Sequence, residues 1–245
     1  MFNICEHCKA SFKPSKGHPK QRFCCVSCAL QHRYPDDIGL FNRTDVEDYI
    51  KKYILGLIIT DGCIRKNGLN KTICISLSDK EMIEQIHDLI CPTKKIYKDG
   101  NNFQVVWKNK KDIEYLESLN ILERKTNIVE FPFVSENIWH LIRGVFDGDG
   151  CVFISRTHDV KHNKWYEYTG ISFISGSPNF IIGFTKFLNS QDITYTVTQD
   201  SRHSYTFAIR IMKTSSVKKM YDLMYQNATN WKLDRKYNKF KLEIN

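Results

Sequence analysis

The 245-residue chain has no apolar run near the roughly 20 residues that a membrane-spanning helix needs. Its longest clean run, Tyr53 to Ile59, is interrupted by Gly56. The start, Met1-Phe2-Asn3-Ile4-Cys5-Glu6, lacks the charged-then-apolar profile of a secretory signal. Acid is scarce, with 27 Asp and Glu against 36 Lys and Arg, for a net charge of +9. That imbalance points to a polyanionic partner, with nucleic acid first and a membrane surface second. A disordered tail is excluded, because 42% of residues are hydrophobic and 13% aromatic, enough for a real core. The expectation is a soluble, intracellular protein with no membrane partner.

The nine cysteines do not form a disulfide scaffold, since the count is odd and five fall within residues 5 to 28. Residues 1–35 carry those five, six basic side chains and one acid, Glu6, so the segment is strongly positive. It has three prolines and no apolar run from which to build a core. Cys5-x2-Cys8 followed by Cys24-Cys25-Val26-Ser27-Cys28 offers two spacings suited to tetrahedral Zn²⁺, one through Cys24 and one through Cys25. Thiolate ligation would fold such a coreless piece. The run Arg22-Phe23-Cys24-Cys25-Val26-Ser27-Cys28 resembles small fingers ending in Arg-Phe-Cys-x3-Cys, which implies Cys5, Cys8, Cys24 and Cys28 as ligands. The remaining cysteines, Cys63, Cys74, Cys91 and Cys151, read as small core residues.

After a polar linker, residues 36–44, the chain repeats itself. Thr44 to Glu47 forms a capping-box pattern before a helix with apolar residues from Tyr49 to Ile58 at helical spacing. Thr72–Ser78 alternates as a half-buried strand. Ser78 to Glu81 opens another helix, strands are expected at Lys94–Tyr97 and Phe103–Lys108 around the turn Asp99-Gly100-Asn101-Asn102, and Lys111–Leu119 is a short helix. The order then recurs. Ser135 caps a helix, strands follow at Cys151–Arg156 and Tyr166–Ser175, and Ser177-Pro178 starts a helix. Strands at Ile193–Gln199 and Tyr205–Ile211 flank the turn Asp200 to His203, and Thr214–Tyr225 is helical. An αββαββα unit thus occurs twice, in residues 45–132 and 133–245. The separation of the Arg-Lys pairs (Lys125, Lys236) exceeds that of the Asp-Gly ends (Asp61, Asp149). The excess places an insertion in the second copy, assigned to the polar loop Thr157–Lys164.

Each copy's first helix ends alike: Ile54-Leu55-Gly56-Leu57-Ile58-Ile59-Thr60-Asp61-Gly62 and Ile142-Arg143-Gly144-Val145-Phe146-Asp147-Gly148-Asp149-Gly150. Small residues four apart (Gly56/Thr60, Gly144/Gly148) give flat faces along which two helices can approach closely. Paired so, they would deliver Asp61 and Asp149 side by side. Adjacent carboxylates repel unless protonated or metal-bound, and oxygen ligands suit Mg²⁺, which also takes phosphate oxygens and water. Here the chain resembles the single-chain LAGLIDADG homing endonucleases, over roughly residues 45–245. The resemblance implies a pseudo-twofold α+β fold with paired motif helices and two sheets forming a saddle over DNA. It implies a monomeric, Mg²⁺-dependent, site-specific double-strand endonuclease with Asp61 and Asp149 as catalytic metal ligands. The carbonyls of Thr60 and Gly148 would be further ligands, and Lys125 and Lys236 basic residues near the phosphate. The first copy departs from the motif with Ile59 and Thr60, the latter expected to loosen the helix contact slightly. A group I intron maturase binding intron RNA, or a silent DNA-binding regulator, is the alternative on this scaffold.

Polar strand faces and turns supply candidates for double-stranded DNA. These include Arg65, Lys66, Lys71, Ser76, Gln104 and Lys108 in the first copy, and Arg156, Gln199, Arg202 and Arg210 in the second. Arg and Gln can read base edges, whereas Lys mostly meets phosphate.

Overall fold

A computed structural model describes residues 2–33, 37–133, 136–199 and 206–244. The polypeptide starts with a two-stranded ribbon, β1 (Asn3–Ile4) and β2 (Ser11–Phe12), and the helix α1 (Val26–Arg33). The first copy comprises α2 (Asp48–Asp61), β3 (Gly62–Asn67), β4 (Asn70–Leu77), α3 (Lys80–Ile90), β5 (Tyr97–Asp99), β6 (Asn102–Trp107) and α4 (Lys110–Ser118). The second comprises α5 (Ile138–Asp149), β7 (Gly150–Asp159), β8 (Lys164–Ser175), α6 (Pro178–Ser190), β9 (Thr196–Gln199), β10 (Phe207–Ile211) and α7 (Thr214–Tyr225), followed by α8 (Asp234–Ile244). Both sheets are four-stranded and antiparallel, in the equivalent orders β3-β4-β6-β5 and β7-β8-β10-β9. The expected duplicated α+β architecture is therefore present.

The alternation in β4 places Ile73, Ile75 and Leu77 in the core, together with Val105 and Trp107 of β6. Thr72, Cys74 and Ser76 take the opposite, helix-free face. The second sheet repeats this with Ile171, Phe173, Ile209 and Ile211. One apolar core runs through both copies, with the sheets backed by helices.

The expected caps differ in detail. α2 begins at Asp48 and α3 at Lys80, each without a side-chain cap, so Thr44 and Ser78 do not cap them. Ser177 does cap α6, accepting from Phe180 N, with Pro178 at the first helical position. Ser135 and Tyr205 lie outside the described residues. The insertion in the second copy is strand as much as loop: Thr157, His158 and Asp159 still pair with Tyr166, Trp165 and Lys164. The segment read as a linker is docked. Leu40 is fully buried, and Asp112 accepts hydrogen bonds from Leu40 N (2.8 Å), Phe41 N (2.8 Å) and Trp107 Nε1 (2.9 Å). Among the described residues no helix is long and apolar enough to cross a membrane.

Candidate active site

α2 and α5 meet along their small residues. A Cβ on Gly56 would lie 2.7 Å from Val145 N and 2.8 Å from Gly144 Cα, so nothing larger than hydrogen fits there. A Cβ on Gly144 would lie 3.0 Å from Gly56 Cα and closer still to the Tyr53 carbonyl. One turn on, Gly148 leaves room for the Thr60 side chain, whose hydroxyl donates to the carbonyls of its own helix at Gly56 and Leu57. The Thr60 departure is thus accommodated by the absence of a side chain opposite, and the helices remain in backbone contact. Each helix runs straight into a strand at Gly62 and Gly150, both extended rather than left-handed. These glycines are required by crowding, since a Cβ on Gly62 would meet Ile58 Cα at 2.6 Å.

The same packing brings the two acidic ends together. The Asp61 carboxylate lies against Gly148, next to Asp149: a Cβ on Gly148 would meet Asp61 Oδ2 at 2.6 Å. Burial and the neighbouring Asp149 charge push the Asp61 carboxyl up to about 6. Partial desolvation raises Asp149, opposed by the positive charges of Lys125 and Lys236. Neither carboxylate has an ion-pair partner among the described residues.

The two lysines occupy equivalent stations. The buried Lys125 donates to the Thr60 carbonyl at 3.3 Å. Lys236 donates to the Phe146 and Gly148 carbonyls at 2.8 and 2.7 Å. The two carbonyls expected as further metal ligands therefore accept from lysine here. Burial lowers both ammonium groups while the acids oppose the shift. They arrive from the segment after α4 and from the first turn of α8, which accounts for their separation in sequence from the acids they face.

Beside these acids lies a polar core that sequence reasoning missed. Asp147, buried, accepts from Tyr53 OH and Leu233 N, both at 2.8 Å. Burial pushes its carboxyl up to about 6. Arg143, fully buried, donates to the Trp231 and Met224 carbonyls at 2.9 and 2.7 Å. The first copy has Ile59 and Leu55 at these places, and that contrast was the available signal. Arg143 also lies 2.8 Å from His140 Nδ1, and burial and its charge push His140 down to about 4. A histidine held neutral in the fold stabilises above its unfolded value of about 6.5 and loses that contribution as pH falls towards 4. Thermal melts should therefore show the wild type losing on the order of 1–2 kcal/mol more than His140→Gln between pH 7 and pH 4.5, after allowance for solvent screening.

The DNA candidates divide by strand register. Arg65, Ser76, Gln104 and Arg210 lie on the helix-free faces. Gln104 is buried there, accepting from Arg65 at 3.4 Å and donating to Asp99 at 3.1 Å. Lys66 and Lys71 pair with each other on the opposite face, and Lys71 bonds to Glu117 of α4. Arg156 also takes the helix-side face, paired with Glu167 at 2.7 Å. Gln199 shares the parity of Val197, away from the helix-free face, and Lys108 lies beyond the end of β6. Arg202 lies outside the described residues. Cys63 and Cys151 are not core residues: each follows its acid by two positions on the helix-free face, half-buried and exposed respectively. Tyr97 and Tyr168, also exposed on these faces, were not anticipated.

In the N-terminal segment, Cys5, Cys8, Cys24 and Cys28 form a cluster whose sulfur atoms lie within 4.8 Å of one another. Cys25 is exposed beside it, 3.8 Å from Cys24.

Residues 48–121 match the family model of the LAGLIDADG-like domain. No curated protein sequence matches the chain. Among solved structures, the I-LtrWI LAGLIDADG homing endonuclease bound to target DNA superposes with a TM-score of 0.58 at 12% identity, covering 80% of this chain and 89% of that one. The meganuclease I-AabMI bound to uncleaved DNA gives 0.57 at 12% identity, with coverages of 80% and 88%. A variant of I-DmoI in complex with its target DNA and Mn gives 0.53 at 16% identity, with coverages of 75% and 98%. The chain therefore has the LAGLIDADG homing-endonuclease fold.

Proposed function

We propose that the protein is a metal-dependent, site-specific endonuclease that cuts both strands of a DNA duplex. The observation that carries this reading is the pair of carboxylates, Asp61 and Asp149, without an ion-pair partner among the described residues and brought together at the ends of two helices that touch backbone to backbone. The donor set fits a hard divalent cation: two carboxylates raised by burial, Asp61 also by the Asp149 charge, at a cleft where phosphate and water can complete the shell. Asp61 and Asp149 would hold Mg²⁺, with the Thr60 and Gly148 carbonyls available once their lysines turn towards substrate. Bound there, the ion supplies Lewis-acid charge at the phosphodiester and a water of lowered pKa.

The protein's own groups do the rest. Lys125 and Lys236, held on carbonyls beside the acids, place two positive charges where a phosphate approaches. Arg65, Ser76 and Arg210 meet base edges from the helix-free faces, with the buried Gln104 holding Arg65 in place. The net charge of +9 draws the duplex in and makes affinity salt-dependent. Incubation with a duplex library of random sequence and Mg²⁺ tests the reading. One enriched site cut on both strands is expected, with no cutting in a chelator; a failure to enrich any cut site contradicts it.

The four-thiol cluster is a Zn²⁺ site in this reading, tetrahedral and structural. Cys24→Ser should remove about one zinc per chain, whereas Cys25→Ser should retain it, as read by metal analysis of the purified variants.

A further inference from the structure

The two copies differ at their outer ends. β3 leaves Asp61 and runs from Gly62 to Asn67, a length of about 20 Å, or roughly six base pairs. β7 leaves Asp149 and runs from Gly150 to Asp159, about 33 Å, or roughly ten base pairs. The tip of the shorter arm is itself exposed, but the N-terminal unit lies beside it. Val26 and Ser27, at the start of α1, line a groove whose other wall includes Leu69, Asn70 and Lys71 at the β3–β4 tip. The segment that follows the N-terminal unit is pinned to the same copy. Asp37 accepts from Lys108 N at 2.7 Å and Lys94 at 2.5 Å, and its own amide donates to the Lys108 carbonyl. The four-thiol unit thus adjoins the tip of the first copy's hairpin, on the side where Ile113 and Glu117 of α4 complete the groove.

Its charge suits that place. Glu6 is its single acid and is neutralised by Arg22 at 2.6 Å. Lys13, Lys16 and Lys20 are exposed and have no ion-pair partner among the described residues. We propose that the N-terminal unit is the first copy's outer DNA arm, placing these lysines on duplex phosphates beyond about six base pairs from the cut, where the longer β7–β8 hairpin serves the other side. A near-symmetric catalytic core would then reach equally far along both flanks with two unlike devices. The inference rests on the nuclease reading for the position of the cut.

The test uses the full chain carrying Lys13→Ala, Lys16→Ala and Lys20→Ala together, with its selected duplex. Zinc content serves as the folding control. Hydroxyl-radical footprinting should show the protected region retracting by about four base pairs at one end only, with the other unchanged. The slope of log affinity against log salt should fall by about 2 to 3. As a second measurement, trimming the duplex to six base pairs on that flank should weaken wild-type binding tenfold or more and leave the triple variant unaffected. An unchanged footprint and slope, or equal retraction at both ends, would overturn the proposal. So would an effect on RNA binding without one on the duplex. Cutting of the site by either protein reports on the nuclease reading separately.

Discussion

Asp149→Asn should abolish cleavage while leaving binding to the target duplex within a few-fold of wild type. The substitution keeps the size of the side chain and removes the charge that a divalent cation requires. Losing one of two anionic ligands forfeits several kcal/mol of stabilisation at the phosphodiester. At about 1.4 kcal/mol per factor of ten, the single-turnover rate should fall by at least about 10³. The fold should not suffer, because Asp149 is one half of a repelling pair: its charge helps hold the Asp61 carboxyl up to about 6. Thermal stability should be unchanged or slightly higher, and the Asp61 carboxyl should titrate lower in the variant. Rapid-quench cleavage, gel-shift binding and a thermal melt on one preparation separate these effects. A variant that is inactive because it is unfolded would fail the last two.

Gly144→Ala, like Gly56→Ala opposite it, should be among the most destabilising methyl additions at the described residues. The new carbon would press on the Tyr53 carbonyl and stand 3.0 Å from Gly56 Cα, both backbone positions without a rotamer to turn away. Overpacking a core usually costs about 1–3 kcal/mol, and backbone crowding on both sides places this site at or above the top of that range. For a chain of this size the melting temperature should drop by roughly 6–12 °C. Separation of the helices also displaces Asp61 from Asp149, so any cleavage by the folded fraction should fall with it. An equivalent methyl at Gly68, which has open space around it but a φ of +59°, should cost far less, through backbone strain alone.

The features legible in the sequence were periodic or duplicated. Alternation in Thr72–Ser78 and helical spacing in Tyr49–Ile58 are local, and each matches its element closely. The paired helix ends were legible because two copies constrain each other where a single Asp-Gly would have read as a turn. The docking of Asp37 and Leu40 was not legible, because it depends on Asp112, far along the chain, presenting a carboxylate to two backbone amides. Nor was the buried role of Arg143 and Asp147, two charged residues whose partners are carbonyls and tyrosines rather than each other. The strand faces of Lys71 and Arg156 were not legible for a related reason. A lysine or arginine in a strand carries no mark of which face it takes until the pairing partner and the neighbouring acid are known, here Glu117 and Glu167. Cys63 and Cys151 were assigned to the core on size, yet their register two places after each acid puts them on the open face.

Cleavage requires Asp61 and Asp149 to cooperate in holding a cation against DNA. Crystals of the protein with its selected duplex, soaked in Mn²⁺, test this most directly through anomalous scattering. The predicted result is a peak between the two carboxylates, in contact with a phosphate oxygen of the duplex and absent from Asp149→Asn crystals. A Mn²⁺ peak remote from both carboxylates, or a duplex bound away from them, would contradict it.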